Sequence, residues 1–566
     1  MNPPTSAPAP ARKARPARNA KPQGQWKVDG KTPLNANEEF KAADNGLNVR
    51  QRIIDTYSKQ GFASIPEDDL YGRMRWWGLY TQRKQGIDGG RTGTMSAEEL
   101  SDEYFMMRIR LDGGALTTDQ LRVLADISID FARDTADISD RQNIQYHWIR
   151  IEDVPEIWNR LDQAQMDTVE ACGDTPRVIL GSPVAGIAAD EILDPTPVIE
   201  EIKERFIGDP EFSNLPRKFK SAITGHPSLD VVHEINDISL VGVRHAELGA
   251  GYDLWVGGGL STNPRLAERV GVFVRPEEAA EVWAGVTAIF RDYGYRRLRT
   301  RARLKFLIAD WGVEKFRQVL QDEYLGRELP DGPAPGPGTG TYDHVGVHEQ
   351  KDGRVWVGVA PVVGRVSGTL LNQVADLAEA AGSHRVRLTP HQKLLVLDVD
   401  PAKADELVKA LNAIGLQSRP SIFRRGTMAC TGIEYCKLAF VETKTLAGTL
   451  IDELENRLAD LELGDQKLTI NLNGCPNSCA RIQVADIGLK GQLLQGEFGF
   501  QIHLGGGLAE DTGDGGQLGR TVRGLKVTAE DLPNWTERII RRYAADRTDG
   551  ESFAQWAHRA EEEALA

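Results

Sequence analysis

The stretch Asn-Gly-Cys-Pro-Asn-Ser-Cys at residues 473–479 carries two cysteines, and Cys430 and Cys436 precede it. Four of the five cysteines of the chain therefore lie within 50 residues, as Cys-x5-Cys followed by Cys-x3-Cys. Four thiolates gathered from two loops match the needs of a [4Fe-4S] cluster, in which each iron takes one soft ligand from the protein. A zinc site is the alternative, but its thiolate pairs are usually two to four residues apart. The longer x5 gap favours the cluster.

The same stretch has a counterpart 249 residues earlier, where Thr-Gly-His-Pro occupies residues 224–227. Together with this pair, six pairs of segments occur in the same order in the two halves of the chain, at offsets of 248–250. The other five pairs are 105–111 with 355–361, the helical pattern Leu121, Leu124, Ile127 with Leu371, Val374, Leu377, the segments that start at Ser139 and Thr389, 237–240 with 486–489, and 256–260 with 504–508. A constant offset over six pairs indicates an internal duplication.

The repeated units predict an α+β fold in which two copies are related by a pseudo-twofold axis. In each copy a strand and a helix lead into a polar-to-apolar strand, which we place from Ser139 and from Thr389, with Arg141 near the start of the first. The glycine triplets at 257–259 and 505–507 lack the G-x-G-x-x-G spacing, so a dinucleotide site is not indicated.

Composition bounds the class of protein. The chain has 566 residues, a net charge of −14 and 40% hydrophobic residues. The acidic balance argues against a nucleic-acid binder, no apolar run reaches the ~20 residues of a membrane helix, and the N-terminus lacks a secretory core. Five cysteines are too few for a disulfide framework. We expect a cytoplasmic enzyme or redox protein with no nucleic-acid or membrane partner.

Two low-complexity segments punctuate the chain. Residues 1–26 begin with a Pro/Ala-rich, basic stretch that is expected to be a disordered tail, free in solution or in contact with an acidic partner. A Pro/Gly linker at 329–342 separates the two copies. The segment 27–99 has no counterpart in the second copy, and we expect it to be an N-terminal arm that wraps the duplicated body.

The two copies differ in the residues that carry chemistry. His226 stands where the second copy has Cys475, and no cysteine of the first copy matches the other three. The first copy is instead rich in cations that stand in polar-to-apolar contexts: Arg108, Arg141, Arg177, Lys218, Lys220, Arg299, Arg301, Arg303 and Lys305. Each alone is typical of an exposed or salt-bridged side chain. Together, in an acidic chain, they indicate a pocket for a polyanion.

These motifs resemble the assimilatory sulfite and nitrite reductases that contain siroheme and a [4Fe-4S] cluster, and the pattern is closest to the ferredoxin-dependent sulfite reductases of actinobacteria. The resemblance covers about Arg75 to the C-terminal region and rests on the cysteine motif, the duplication and Arg-Gln-x-x-Gln at 141–145. It implies two ferredoxin-like half-domains that form one pseudo-twofold unit, and two sulfite/nitrite reductase α+β domains. The half-domains are placed at 100–165 and 343–415, and the reductase domains at 166–328 and 416–566.

The resemblance also implies residue roles. Cys430, Cys436, Cys475 and Cys479 would hold the cluster, and Cys479 would bridge it to the siroheme iron. Siroheme has eight carboxylates, which buried cations must balance. The residues expected to hold them are Arg141, Gln142, Gln145, Arg301, Arg303 and Lys305. The residues expected to bind the substrate and deliver protons are Arg108, Arg177, Lys218 and Lys220.

The expected reaction is the six-electron reduction of sulfite to sulfide in sulfur assimilation. Lys218-Phe219-Lys220 favours sulfite, since nitrite reductases of this family tend to have Lys-x-Asn there. Reduction of nitrite to ammonia is the first alternative, and a non-catalytic iron–sulfur electron carrier is the second. No flavin or nicotinamide motif is present, so the resemblance implies reduced ferredoxin as the donor. A monomer is expected, because the duplicated chain contains its own pseudo-dimer.

The fifth cysteine, Cys172, lies five residues before Arg177 and is therefore placed near the haem. A buried free thiol is the simplest interpretation. The alternative is a thioether cross-link to a nearby tyrosine, formed in an oxidising haem environment. Tyr80 is the candidate partner.

Overall fold

The computed structural model describes residues 21–461, 467–509, 515–522 and 524–565. Most of the predicted tail lies outside the described residues. Its last residues, however, belong to the folded body, because the backbone N–H of Arg296 donates to Gln23 O over 3.0 Å. The guanidinium of Arg296 also lies 3.7 Å from the ring centre of Trp26. The predicted tail boundary at residue 26 is therefore too late.

The strands, in chain order, are β1 (Leu79–Arg83), β2 (Ser101–Arg108), β3 (Ala115–Thr117), β4 (Ala136–Ile138), β5 (Ile144–Ile149), β6 (Leu180–Gly181), β7 (Ser221–Thr224), β8 (Ile238–His245), β9 (Gly249–Val256), β10 (Glu268–Val274), β11 (Gly346–Glu349), β12 (Val355–Val359), β13 (Arg365–Val366), β14 (Arg385–Leu388), β15 (Leu394–Val399), β16 (Thr427–Ala429), β17 (Ile470–Asn473), β18 (Ile487–Leu494), β19 (Glu497–Leu504) and β20 (Lys526–Thr528).

The helices are α1 (Trp26–Asp29), α2 (Ala36–Ala43), α3 (Val49–Arg52), α4 (Ser58–Gln60), α5 (Glu67–Leu70), α6 (Thr118–Phe131), α7 (Val154–Gln163), α8 (Thr196–Phe206), α9 (Ala279–Tyr293), α10 (Leu304–Trp311), α11 (Val313–Val319), α12 (Gly368–Ala380), α13 (Ala404–Ala413), α14 (Ile422–Gly426), α15 (Lys444–Arg457), α16 (Leu532–Asp546), α17 (Phe553–Arg559) and α18 (Glu562–Leu565). Among the described residues, no helix has the length and apolar character that crossing a membrane requires.

Two antiparallel sheets form the ferredoxin-like part. Their strand orders are β1-β2-β5-β4-β13 and β11-β12-β15-β14-β3. The short strands β3 and β13 are exchanged, so each half-domain completes the sheet of the other. Helices α6 and α12 pack together and begin at equivalent hydroxyl caps, Thr117 and Ser367. One hydrophobic core runs through both half-domains, which therefore form a single pseudo-twofold unit.

The other two sheets have matching topologies. Their orders are β6-β7-β8-β9-β10 and β16-β17-β18-β19-β20. In each, the first three strands are parallel and the rest antiparallel. Each sheet has its own core of buried aliphatic and aromatic side chains. The predicted duplicated α+β fold is confirmed, strand by strand.

The predicted strands at Ser139 and Thr389 begin too early. In the structure the polar residues form tight turns before β5 and β15, and Arg141 lies in the first turn. The turns need a left-handed residue, and Gln142 (φ 53°) and Gln392 (φ 59°) supply it at equivalent positions. Arg141 therefore leaves the sheet at a corner, and strand alternation does not set its direction.

The segment 27–99 lies against both copies. Trp76 donates its Nε1–H to Ser213 O over 2.6 Å, and the buried Lys41 ammonium lies 3.3 Å from Asp174. At its far end, β1 joins the first sheet, and the Arg83 N–H donates to Tyr435 O. The arm therefore reaches from the first reductase sheet to the cysteine loop of the second copy.

The Pro/Gly segment 329–342 starts on the surface of the first copy. Leu329 is buried in the core, and Pro330 O accepts the N–H of Phe273 from β10. Further along, the Thr339 N–H donates to Pro227 O. These backbone bonds tie the connection to the first copy over much of its length.

Candidate active site

The cysteines stand at one edge of the second reductase sheet. Cys430 follows β16 directly and Cys475 follows β17 by two residues. Since β16 and β17 are adjacent and parallel, their carboxyl ends meet at the same edge. The Gly474 N–H donates to Cys430 Sγ over 3.2 Å, which joins the two loops. The two cysteine loops, far apart in sequence, are therefore close in space because they follow neighbouring parallel strands.

Burial and the repulsion between neighbouring negative charges make ionisation of these cysteine thiols unfavourable. Burial and the neighbouring Cys479 charge raise the pKa of the Cys430 thiol to about 12. The same two effects raise the pKa of Cys475, and burial raises that of Cys436. Cys479 is the exposed member of the set. A group of thiolates held this closely needs a positive metal centre to be stable in its ionised form.

The separation of the sulfurs distinguishes a cluster from zinc. Within the described residues, the set of three His, Cys, Asp or Glu ligand atoms that lie within 4.8 Å of one another is His226, Asp230 and His344, and it contains no cysteine. Tetrahedral zinc with Zn–S bonds of about 2.3 Å holds its sulfurs about 4 Å apart. No three of the four cysteine sulfurs, all of which belong to described residues, lie within 4.8 Å of one another, and this spacing favours a cluster over zinc.

The first copy replaces the cysteine site with a hydrogen-bonded network. His226 and Asp230 stand 249 residues before Cys475 and Cys479. Asp230 accepts from Ser182 Oγ over 2.7 Å and from Thr224 Oγ1 over 2.8 Å. His344 Nε2 lies 2.8 Å from the same carboxylate. The Ser182–Asp230 bond joins the segments after β6 and β7, which correspond to the segments of Cys430 and Cys479 in the second copy.

Arg108 ends β2 and points toward Cys172. Its Nη1 donates to Cys172 Sγ over 3.0 Å, and its Nη2 donates to Gln145 Oε1 over 3.0 Å. Arg108 and Gln145 are direct cross-strand neighbours on β2 and β5. The Arg108 Nε is buried without a hydrogen-bond partner among the described residues. Arg108 therefore keeps one donor for an anion.

Arg177, Lys218 and Lys220 are brought together by backbone pairing. The Arg177 N–H donates to Phe219 O over 2.7 Å, between the two lysines. Burial and the neighbouring Lys220 hold the pKa of Lys218 well below its usual value. Burial lowers the pKa of Lys220 to about 8. In the described part of the chain neither ammonium has a hydrogen-bond or ion-pair partner, so both can receive an external anion.

The Cys479 thiolate belongs to the electrostatic environment of these cations. Its charge raises the pKa of Lys218, of Lys220 and of Arg108 against the opposing effect of burial. Cys479 comes from the second copy and the cations come from the first. Cys479 of the predicted cluster therefore lies close enough to the cations of the other copy to interact with them electrostatically.

The residues expected to hold carboxylates divide into two groups. Arg141 is buried, its Nη1 donates to Asn236 Oδ1 over 2.6 Å, and its Nε has no partner among the described residues. Burial lowers its pKa to about 9. Gln142, in contrast, donates to Gly181 O and Leu388 O, both over 2.9 Å, and accepts from Gly181 N. Its amide is fully used in joining the two copies.

The 299–305 segment is not a strand: a helical turn at Arg299–Arg301 is followed by an extended Arg303 and then by the start of α10, so its alternating cations diverge. Arg301 is half exposed and lies 3.5 Å from Asp310, away from the other cations. Arg303 makes two bonds to the buried Asp237. Lys305 donates to Gly259 O and Leu260 O over 3.0 and 2.9 Å. The structure therefore brings Arg303 to the lysines but leaves Arg301 outside the site.

Two nearby cations were missed in the sequence. Arg217 precedes Lys218, its Nη1 donates to Arg299 O over 2.6 Å, and burial lowers its pKa to about 10. Arg481 is buried two residues after Cys479 and donates to Asp140 O over 2.9 Å. Its left-handed backbone (φ 60°) turns it back toward the first copy. Arg217 adjoins Lys218 and Arg481 lies close to Cys479 in the sequence, and this proximity is the signal by which both cations could have been predicted.

Tyr80 lies on β1 beside Cys172. Burial and then the Cys172 charge raise the pKa of the Tyr80 hydroxyl. The guanidinium of Arg75 lies 5.5 Å from the centre of its ring. Tyr80, Cys172 and Arg108 therefore form one group next to the substrate-side cations.

Sequence models of two domain families match most of the chain. The nitrite and sulphite reductase 4Fe-4S domain matches residues 172–329 and 422–565. The nitrite/sulfite reductase ferredoxin-like half domain matches residues 98–164 and 348–414. The chain belongs to the nitrite and sulfite reductase family. Each domain of the family matches once in each copy, and the prediction of an iron–sulfur cluster is confirmed at the level of the family.

Individual relatives cover nearly the whole chain. A sulfite reductase [ferredoxin] of Mycobacterium tuberculosis is 58% identical over 99% of this chain and 100% of its own length. An assimilatory ferredoxin-dependent nitrite reductase of Haloferax mediterranei is 35% identical, over 94% of this chain and 92% of its own. The solved structure of the Mycobacterium tuberculosis NirA protein superposes with a TM-score of 0.93 at 57% identity, over 96% of this chain and 100% of that one.

Proposed function

We propose that the protein is a ferredoxin-dependent assimilatory sulfite reductase that carries out the six-electron reduction of sulfite to sulfide. The single observation that carries the proposal is the position of Cys479. Its exposed sulfur, from the predicted cluster, lies close enough to Lys218, Lys220 and Arg108 of the other copy for its charge to raise the pKa of each. Electron delivery and anion binding are therefore adjacent, and each depends on a different copy.

Siroheme fits the donors that this structure leaves available. The buried Nε atoms of Arg108 and Arg141 have no partner among the described residues, and buried cations without acids suit a ligand with many carboxylates. Arg141 would hold its carboxylates, whereas Arg303 is already paired with Asp237. Cys479 would be the ligand of its iron. When bound, siroheme supplies a redox-active iron that accepts electrons singly from the cluster and binds the substrate anion.

The residues of the chain perform the binding and proton steps. Arg108 and Arg177 present guanidinium donors to the oxygens of the anion. Lys220 has a pKa of about 8, so its Nζ holds a proton at neutral pH and releases it readily to an oxygen that leaves as water. Lys218 lies beside it, and burial and the neighbouring Lys220 hold its pKa well below the usual value. The backbone bond between Arg177 and Phe219 keeps the donors in one place.

Sulfite is preferred to nitrite on charge. Two neighbouring lysines without acid partners favour a dianion over a monoanion, because each positive charge interacts with twice the negative charge. The higher identity to sulfite-reducing relatives, 58% against 35%, supports the same substrate. Nitrite is the second candidate, since a cationic site of this kind also attracts a monoanion.

The electron donor is proposed to be ferredoxin, as in the names of the relatives. Leu438, two residues after Cys436, is 58% exposed and offers an apolar contact near the cluster. The segment that carries the exposed Lys84 and Arg91 runs beside this loop, through the bond from Arg83 N–H to Tyr435 O. These cations would meet an acidic donor. Leu438→Glu is expected to raise KM for ferredoxin and to leave turnover with a small-molecule reductant unchanged.

The proposal is tested with purified holoenzyme. Its absorption spectrum should contain isobacteriochlorin bands, and kcat/KM with reduced ferredoxin should be higher for sulfite than for nitrite. A plain iron–sulfur spectrum would support a non-catalytic electron carrier instead. Cys479→Ser should abolish the electronic coupling between the two prosthetic groups. A Cys479→Ser enzyme with both groups, coupled and fully active, would refute the mechanism.

A thioether between Cys172 and Tyr80 is proposed next to the site. The Cys172 Sγ would bond to a ring carbon of Tyr80, with two protons and two electrons passed to dioxygen as the oxidant. The proximity of both residues to Arg108 supports this pairing. The intact mass should then be lower by two hydrogens, with one cross-linked peptide. Free alkylation of Cys172 in the unfolded holoenzyme would rule the bond out.

A further inference from the structure

The loop that carries Cys436 holds a fully buried guanidinium against its backbone. Arg83, the last residue of β1, donates its backbone N–H to Tyr435 O over 2.8 Å and its Nη1 to Ala439 O over 3.5 Å. These bonds reach residues before and after Cys436, and Arg83 is only 1% exposed. A positive charge is therefore fixed beside a predicted cluster ligand.

Lys437 supplies a second cation at the same place. It follows Cys436 directly in the chain, and its ammonium donates to the hydroxyl groups of Thr81 and Ser101, the latter over 2.8 Å. The centre of the Tyr71 ring lies 5.1 Å from the ammonium. Because β1 and β2 hold this long side chain in one position, its charge stays near the cysteine loop.

Neither cation has a carboxylate partner in the part of the chain that the structure describes. The remaining bonds of the Arg83 guanidinium run to a hydroxyl group and to backbone oxygens, and its Nε has no hydrogen-bond partner among the described residues. The nearby acids are engaged elsewhere. The Asp88 carboxylate accepts the Gly90 N–H over 2.7 Å, and Glu434 is paired with Arg365 over 2.8 Å.

Two positive charges held away from water without acid partners are costly unless another negative group lies near them. Burial lowers the pKa of Arg83, and the Cys436 charge opposes this effect. Burial and then the nearby Arg75 lower the pKa of Lys437 to about 8, and the Cys436 charge opposes them as well. Both side chains are therefore charged at neutral pH, and both interact favourably with negative charge at the cysteine site.

We propose that Arg83 and Lys437 compensate the negative charge of the [4Fe-4S] cluster and so raise its reduction potential, which favours the uptake of each electron from the donor protein. A four-iron core with four thiolates carries a net negative charge, and one-electron reduction adds one more. Nearby buried cations stabilise the reduced form more than the oxidised form, because the attraction grows with the charge. The proposal rests on the proposed function, through the assignment of Cys436 as a cluster ligand.

The test is a redox titration of purified holoenzyme at neutral pH, in which EPR measures the reduced cluster. Lys437→Gln keeps a polar side chain for the two hydroxyl groups but removes the charge. At the wild-type midpoint potential, its ratio of reduced to oxidised cluster should be about tenfold lower, which is about 59 mV for one electron. Arg83→Gln should shift the ratio in the same direction, and Lys437→Arg, which keeps the charge, should restore it. Lys59→Met, which removes an exposed lysine from α4 of the same arm, is the matched control and should titrate like the wild type.

The proposal is overturned if Lys437→Gln and Arg83→Gln both titrate at the wild-type potential, or if Lys437→Arg shifts as far as Lys437→Gln. The ratio is measured only on protein that holds a cluster, so partial loading does not alter it. Cys436→Ser separates this failure from a wrong ligand assignment. Full iron and acid-labile sulfide in Cys436→Ser would refute the ligand set and this proposal with it. Lost iron in Cys436→Ser, together with unchanged potentials in the two Gln variants, would refute this proposal alone.

Discussion

Replacement of Lys220 by Asn is the sharpest test of how the site selects its substrate. The surroundings lower the pKa of this lysine from 10.5 to about 8, mainly through burial. A difference of about 2.5 pKa units corresponds to about 3 kcal/mol, which is the free energy by which the site disfavours the charged ammonium when no anion is bound. Lys220 is only half-buried, so this value is an upper limit.

A bound anion offsets this cost in proportion to its charge. If the sulfite dianion recovers the full amount, a nitrite monoanion recovers about half, and Lys220 contributes about 1.5 kcal/mol more to sulfite than to nitrite. Lys220→Asn should therefore lower the ratio of kcat/KM for sulfite to that for nitrite by up to about tenfold. Asn retains a polar side chain of similar reach near the backbone but carries no charge.

The assay is steady-state turnover with reduced ferredoxin on both substrates at one pH. Lys203→Asn, at an exposed position of α8, is the matched control and should leave the ratio unchanged. A ratio that stays within twofold of the wild-type value, or one that rises, would show that Lys220 does not discriminate by charge. Substrate choice would then lie with shape or with Lys218.

Three further predictions follow from single side chains. Cys475→Ser should lower iron and acid-labile sulfide together, because its sulfur is a predicted ligand at the meeting of two strand ends; unchanged iron content would remove it from the ligand set. Burial raises the pKa of Glu170 to about 8, so the native state holds a proton that the unfolded state loses above about pH 4.5, and stability falls as pH rises toward 8. In Glu170→Gln the thermal midpoint should no longer fall with pH over this range. A pH dependence equal to that of the wild type would contradict the prediction. Lys41→Met breaks a buried ion pair with Asp174, at a cost of about 3 kcal/mol. A glutamate-specific protease, whose sites neither substitution changes, should therefore cut the arm about 100-fold faster, whereas the exposed Lys31→Met should match the wild type.

The duplication and the cysteine site could be predicted from the sequence because both depend on positions close along the chain. The offset of 248–250 is preserved where strands and helices repeat, and Cys430 and Cys475 follow strands that the parallel sheet places side by side. The exchange of β3 and β13 could not be predicted, because two- and three-residue strands carry no periodic signal and their partners lie in the other copy.

The direction of individual side chains was the second feature that could not be predicted from the sequence. Alternation along the chain predicts direction only where the backbone is extended, and Arg301 lies on a helical turn that points it to solvent. Arg141 and Gln142 lie in a turn with a left-handed residue, so their side chains point in different directions and make different contacts although the residues are adjacent. Arg481 shows the same effect, since its left-handed backbone directs it toward the first copy. Such reversals depend on tertiary contacts and leave little trace in residue type.

The division of chemistry between the copies follows from what each strand end retains. In the second copy the ends of β16 and β17 carry thiols. In the first copy Ser182 follows β6, and His226 and Asp230 follow β7. The Asp230 carboxylate bonds to Ser182, Thr224 and His344, and these hydrogen bonds hold the segments together. Hydrogen bonds thus stabilise the loops of the first copy, and its cations are available to bind an anion. The first copy does not, however, contain the four cysteines of the predicted cluster. Cys479 lies near these cations but belongs to the other copy, so in the proposed mechanism neither copy alone would hold both the electron path and the anion site, and the reaction would require the fold that joins them.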